Sequence, residues 1–145
     1  MDDGTAAAQV ETPLEVLSES ECWRLLRSVD VGRIAMATED CSVDIFPINF
    51  VVDHGTIVFR TAAGTKLTRA AKASEVAFEA DDSDLEGDGI AWSVVVRGTA
   101  EAIEGHNDLF EAFELDVRPW HASNKPYFVR LVPHSTSGRR FVVTR

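Results

Sequence analysis

The stretch VDIFPINFVVDHGTIVFRT, residues 43–61, decides the fold of this 145-residue chain. Residues 43–52 and 56–61 are two apolar runs, each of a length typical of a strand. The triplet DHG at residues 53–55 predicts a tight hairpin turn, because glycine supplies the positive φ that such turns need. Pro47 has no N–H to donate to a neighbouring strand, so it marks an edge, a bulge or a bend in the first strand.

Further strands are predicted on both sides of this hairpin, at residues 33–37, 76–80, 92–103, 127–132 and 139–143. Ser18 and Glu21 match a capping box, which predicts a helix from Ser18 to about Val29. Two more helices are predicted, at residues 65–73 and 107–116. Helices are too few for repeated βαβ units. The predicted fold class is therefore mainly β: a β-barrel of six to seven mostly antiparallel strands with three short peripheral helices.

Length and composition indicate one globular domain. Residues 1–13 are small, polar and acidic, so we expect a disordered N-terminal tail followed by a single domain over residues 14–145. No apolar run approaches the roughly 20 residues that a membrane-spanning helix needs. The chain starts with Met-Asp-Asp, unlike the basic start of a signal peptide, so a cytoplasmic protein without a membrane partner is expected.

The charge distribution predicts a local anion site on an acidic protein. The formal net charge of −10 makes nucleic acid an unexpected partner. Residues 54–74 nevertheless contain no acid and four cations, whereas residues 75–89 contain seven acids and no base. Within the basic stretch, Gly64 precedes a predicted helix N-terminus, which offers free N–H groups, and Arg60, Thr65 and Lys66 add donors. These features predict a phosphate site. The alternative is a solvated helix face bearing Lys66, Arg69 and Lys72.

Catalytic and metal-binding motifs are absent from the sequence. The four histidines are dispersed and the two cysteines do not form a CxxC pair, so no metal site is predicted. Trp92 heads a strand and is either core or a platform for a flat ring. A phosphorylated cofactor that brings its own chemistry fits this set of residues best.

Six segments, in this order, resemble the pyridoxamine 5′-phosphate oxidase-like flavin-binding family, and more narrowly its short actinobacterial type. They are ECWRLL (21–26), VGRIA (31–35), PINFVV (47–52), VFRTAAGTKL (58–67), VAFE (76–79) and WSVVVRG (92–98). The resemblance covers about residues 17–143. It implies a split β-barrel homodimer that binds flavin mononucleotide (FMN) between its subunits.

The resemblance also implies which residues of this chain form the cofactor site. The strand beside the isoalloxazine would contribute Pro47, Ile48 and Asn49. The segment holding the ribityl phosphate would contribute Arg60, Thr61, Gly64, Thr65, Lys66 and Leu67. A third strand near the ring would contribute Trp92 and Ser93.

The activity implied is that of a flavin-dependent oxidoreductase acting on an unknown small molecule. The alternatives are a non-catalytic flavin-binding or sensing module, and a reductase that uses the deazaflavin cofactor F420; some members of the family bind haem. True pyridoxamine 5′-phosphate oxidases grip their substrate with an Arg-Leu-His-Asp-Arg-like segment. Residues 136–141 of this chain are TSGRRF, so oxidation of that substrate is not expected.

Overall fold

The computed structural model describes residues 13–38, 40–61, 72–117 and 127–143, and for residues 72–74, 106, 107 and 110 it describes the backbone alone. Within these ranges lie seven strands and two helices. In chain order they are β1 (Glu15–Val16), α1 (Glu19–Leu26), β2 (Val31–Ala37), β3 (Val43–Asp53), β4 (Thr56–Thr61), β5 (Lys72–Ser83), β6 (Ile90–Ala102), α2 (His106–Glu114) and β7 (Tyr127–Val142).

The seven strands form one antiparallel sheet that closes on itself. Their order is β1-β7-β4-β3-β2-β5-β6, and β6 also pairs with β7. Six strands therefore make a ring, and the short β1 pairs with the far end of β7. This arrangement confirms the predicted mainly β fold.

The barrel interior is filled by alternate residues of its strands. Phe59 and Phe78 are among its largest fully buried side chains, and the rings of Phe50 and Phe78 meet edge to face at 4.8 Å. Such burial of aromatic side chains dominates the energy of a small core. Helix α1 adds Cys22, Leu25 and Leu26 to the same core.

Helix α1 begins as the sequence predicts and ends earlier. The Ser18 hydroxyl accepts a hydrogen bond from the Glu21 N–H at 3.2 Å, which confirms the N-terminal cap. The helix stops at Leu26 instead of about Val29. Both the backbone N–H and the hydroxyl of Ser28 donate to the Leu25 carbonyl, and these bonds close the last turn. Val29 still packs against the main core.

Helix α2 creates a second, smaller core on the outside of the barrel. Ala112 and Val117, from the helix and the segment after it, are buried against Val58 of β4 and Phe128 of β7. The helix therefore covers the outer surface of these two strands.

Two predicted elements differ from the structure. The helix predicted at residues 65–73 is wrong at its end, because Lys72 and Ala73 belong to β5; its residues 65–71 lie outside the described ranges. The two strands predicted at 127–132 and 139–143 are one strand, β7. A register shift opposite Arg97 and Gly98 lets β7 continue through Pro133. The predicted N-terminal tail lies almost entirely outside the described residues.

An ion pair joins the β3–β4 hairpin to β7, and its loss is expected to destabilise the fold. Arg130 donates to the Asp53 carboxylate at 2.9 Å and to the Thr56 hydroxyl at 2.6 Å. Burial tends to raise the pKa of Asp53, but the hydrogen bonds and charges of Arg130 and His54 outweigh it, so this pKa lies below its ordinary value. The pair therefore stabilises the fold above about pH 4, and this stability is lost as the pH falls through the lowered pKa.

We expect Arg130→Met to lower the free energy of unfolding at pH 7 by about 1–3 kcal/mol, because it leaves the Asp53 carboxylate, whose side chain is only 20% exposed, with the exposed His54 as its remaining ion-pair partner. Urea unfolding between pH 3 and 7 measures this loss, which should shrink at the acid end. The matched control is Arg24→Met, which breaks an exposed pair with Glu21 and should cost less than about 1 kcal/mol. Equal losses for the two variants would contradict the prediction.

Candidate functional site

The barrel opens where β3 and β4 part. The last residues paired between these strands are Phe50 and Phe59. Beyond them, residues 43–49 of β3 continue along β2, whereas Arg60 and Thr61 continue along β7. We call the gap between Asn49 and Arg60 the split. Pro47 lies on the β3 edge facing away from β2, which explains how a residue without an N–H is accommodated there.

Side chains at the split alternate between the core and the outside. Ile48 and Thr61 are buried, 4% and 1% exposed. Asn49 and Arg60 point the other way, since the residues on their side of the strands, Val51 and Val58, belong to the second core. An amide and a guanidinium therefore flank the split on the outer surface of the barrel.

The guanidinium of Arg60 lies over an aromatic ring. Its central carbon is 5.0 Å from the centroid of the Phe128 ring, a cation–π geometry. The rings of Phe128 and Phe113, the latter from α2, meet edge to face with their centroids 4.9 Å apart.

A cavity of about 470 Å³ adjoins Asn49. Its walls are Val31, Asn49, Phe50 and two carboxylates, Asp30 and Asp116. The cavity is large enough for part of a flat ligand, and its acidic walls favour a phosphate at the Arg60 side of the split over the cavity itself.

Ser93 reaches the same outer surface from β6, but Trp92 does not. Trp92 belongs to the main core and is 8% exposed, which agrees with the interpretation of this residue as core. Asn49 pairs with Val31 of β2, and Ser93 pairs with Asp81 of β5. Continuing the β2–β5 register by two residues beyond Arg33 and Glu79 brings Val31 level with Asp81. Three strand spacings, about 14 Å, therefore separate Asn49 from Ser93 around the barrel.

The outer surface of β3, β2, β5 and β6 carries exposed apolar side chains next to charged ones. Ile45, Ala35, Ala77 and Arg97 form one cross-strand row on it. Val43 and Ile45 are 71% and 65% exposed. Outward positions of a solvated sheet are usually polar. We call the surface formed by Ala35, Val43, Ile45, Ala77 and Val95 the open face.

A charged cluster borders the open face. Arg33 donates to Glu79 at 3.1 Å and to Asp81 at 2.9 Å. Burial, together with the neighbouring Asp81 carboxylate, raises the pKa of Glu79 above its ordinary value despite the opposing effect of Arg33. The sequence analysis missed this cluster and the open face. The sequence feature that could have indicated both is the pattern of β2, where alanines and a single arginine occupy outward positions.

The structure brings part of the predicted site together. Pro47, Asn49 and Arg60 lie on the outer surface at the split, and Ser93 lies on the outer surface three strands away. Ile48, Thr61 and Trp92 point inward. Gly64, Thr65, Lys66 and Leu67 lie outside the described residues, and so does the predicted helix N-terminus. Lys72 is in a strand, which contradicts its predicted place on a helix face with Lys66 and Arg69. Among the described residues, no cluster of His, Cys, Asp or Glu could hold a metal ion, and no helix is long and apolar enough to cross a bilayer.

A six-stranded antiparallel barrel that opens between two strands defines the split-barrel class of proteins. A family model described as pyridoxamine 5′-phosphate oxidase matches residues 18–140. The chain therefore belongs to the pyridoxamine 5′-phosphate oxidase family.

Several individual proteins are similar to this chain over most of its length. The chain is 46% identical to a structure described as the FAD binding protein from Mycobacterium smegmatis, with 87% of this chain and 97% of that chain covered and a TM-score of 0.73. It is 33% identical to a protein of unknown function from Corynebacterium diphtheriae, with 90% and 99% covered and a TM-score of 0.72. An uncharacterized protein of Mycobacterium tuberculosis is 32% identical over 98% of this chain and 96% of its own length.

Proposed function

We propose that this protein binds FMN at the split and acts as a flavin-dependent oxidoreductase on a small molecule. The observation that carries the proposal is the outward side chain of Arg60 across the split from Asn49, where the barrel opens. Arg60 would hold the ribityl phosphate together with the segment containing Gly64, Thr65, Lys66 and Leu67, whereas the side chain of Thr61 points into the barrel. Pro47 and Asn49 would line the ring, with Ile48 supporting their strand from the core.

The bound flavin would supply hydride transfer, and the protein would supply position and electrostatics. Asn49 offers an amide that can donate to or accept from the ring edge. Ser93 offers a hydroxyl on the far side of the same surface, and Trp92 packs beneath its strand. FAD is the second candidate cofactor, because the Mycobacterium smegmatis relative is described as FAD-binding. FAD contains the whole FMN moiety, so it would use the same phosphate contacts.

The visible spectrum of the purified protein, followed by titration with cofactors, tests this proposal. We expect FMN or FAD to bind with quenched or shifted flavin fluorescence, and riboflavin to bind much more weakly because it lacks a phosphate. A Soret band, or tighter binding of F420 than of either flavin nucleotide, would overturn the flavin assignment. Oxidation of NADH or NADPH with candidate acceptors then separates an oxidoreductase from a binding module without turnover.

We further propose that a second copy of the chain covers the open face. Helix α2 covers β4 and β7, but no described element covers Val43 and Ile45. Burying such side chains contributes about 25 cal/mol per Å². The split borders the open face, so a partner seated there would also cover the flavin ring. Ser93 of the partner subunit could then face the same ring.

Ile45→Lys is expected to weaken dimerisation at least tenfold, because it would bury an unpaired charge at the centre of the interface. Sedimentation equilibrium of the flavin-loaded protein measures the change. Leu85→Lys is the matched control, since Leu85 is also exposed but lies in the turn between β5 and β6. A monomeric wild-type protein at micromolar concentration with flavin bound would rule out the proposed dimer.

A further inference from the structure

An arginine of β6, Arg97, has no partner within the described part of the chain. It lies in the cross-strand row that runs over the open face, and its diagonal neighbours on β5 are Glu75 and Glu79. Glu75 is paired with His134, 2.8 Å away. Glu79 is paired with Arg33, 3.1 Å away. Arg97 itself is exposed and makes no hydrogen bond or ion pair with any described residue, so its charge is available to a group outside the chain.

The cluster of Arg33, Glu79 and Asp81 has one cation for two carboxylates. A single guanidinium nitrogen, Nη2 of Arg33, donates to both Glu79 and Asp81. Neither carboxylate therefore has the bidentate contact that an arginine can make. Burial already raises the pKa of Glu79, and covering the open face would remove more water from the cluster. A second cation would stabilise the covered carboxylates.

The charge of this surface favours a second copy of the chain as the source of that cation. The formal net charge of −10 makes two copies repel each other over most of their surface. In the cross-strand rows that pass through residues 75–81 of β5, however, three outward carboxylates stand against three outward arginines. They are Glu75, Glu79, Asp81, Arg33, Arg97 and Arg139. A strongly acidic or basic partner meets no excess of opposite charge here, whereas a second copy matches cations with carboxylates in both directions.

We propose that Arg97 of each subunit pairs with the Glu79 and Asp81 carboxylates of the other, and that this pair selects a second copy of the chain as the occupant of the open face. The inference rests on the proposed dimer. A two-fold axis repeats every contact, so each dimer contains the pair twice. The apolar side chains of the open face supply the area buried, and the ion pairs specify the partner and its register.

The competing explanation is that Arg97 stays in water beside the interface. A solvated arginine predicts that reversing its charge changes dimerisation little. An intersubunit pair predicts a large loss when either charge is reversed alone and recovery when both are reversed. The two explanations therefore differ in the coupling between Arg97 and the carboxylates.

The test measures the self-association of Arg97→Glu, Asp81→Lys and the double variant by sedimentation equilibrium in the presence of FMN. We expect each single variant to dimerise at least tenfold more weakly than the wild type, because like charges then meet twice in each dimer. The double variant, in which the pair is reversed, should recover to within about threefold of the wild type. A 1:1 mixture of the single variants should also form dimers, because each heterodimer contains one reversed pair and one native pair.

Arg24→Glu is the matched control, since it makes the same charge reversal on the exposed side of α1. It should leave dimerisation unchanged and should not restore Asp81→Lys. Wild-type dimerisation of Arg97→Glu, or a double variant that associates no better than the single variants, would overturn the inference and leave the proposed dimer intact. Recovery of Asp81→Lys by Arg139→Glu in place of Arg97→Glu would also overturn it. A monomeric wild-type protein would overturn the proposed dimer itself.

Discussion

Arg60→Ala is expected to weaken FMN binding by about tenfold to a hundredfold. A charge-assisted hydrogen bond to a phosphate contributes about 1.5–3 kcal/mol, and about 1.4 kcal/mol corresponds to a factor of ten in affinity. Arg60 is on the surface side of β4 at the split, so the substitution removes the cation without opening the main core. Fluorescence titration of flavin into wild-type and variant protein measures the loss.

Riboflavin is the ligand control for this prediction, because it has the ring and the ribityl chain of FMN without the phosphate. Its affinity should be nearly the same in Arg60→Ala and in the wild type. Arg24→Ala is the matched variant, since it also removes one positive charge but lies on the exposed side of α1. Lys66→Ala, which the sequence places in the same phosphate segment, should resemble Arg60→Ala. Equal losses for Arg24 and Arg60 would indicate a diffuse charge effect and no defined site.

The hairpin of β3 and β4 could be predicted from sequence because its determinants are local. The turn at Gly55 has the positive φ that the sequence requires, and a strand lies on each side of it as predicted. The cap of α1 is likewise set by two residues three positions apart, Ser18 and Glu21. The position of Pro47 at a strand edge could be predicted because the missing N–H is a property of this one residue.

The remaining features depend on contacts between residues far apart in the chain. The strand β7 passes through Pro133 and the turn-forming residues 134–138 because β6 pairs with it almost throughout its length, and no local pattern shows that. Lys72 lies in a strand because its segment pairs with β6, although its own preference for a helix is good. The sequence predicted a role for Arg60 in binding phosphate, but the ring beneath it comes from a residue 68 positions later.

Only the structure explains why the WSVVVRG segment ends in a glycine. At Gly98 the strand β6 passes so close to β7 that an added Cβ would overlap the Val132 carbonyl group and lie 2.9 Å from the Pro133 Cα. All of these atoms are backbone, and β7 is held at this point by its pairing with β6. A backbone clash of this kind cannot be relieved by rotating a side chain, so the two strands would have to separate.

Gly98→Ala is therefore expected to lower the free energy of unfolding by about 3 kcal/mol, near the upper end of what overpacking usually costs. Urea unfolding followed by circular dichroism measures this loss. Gly55→Ala is the control: Gly55 has a positive φ of 73° and nothing within 4 Å of an added Cβ, so its cost should be about 1 kcal/mol from backbone strain alone. If Gly98→Ala were no more destabilising than Gly55→Ala, β6 and β7 could not approach each other as described. The register shift opposite Arg97, which allows β7 to run as one strand and close the barrel, would then be wrong.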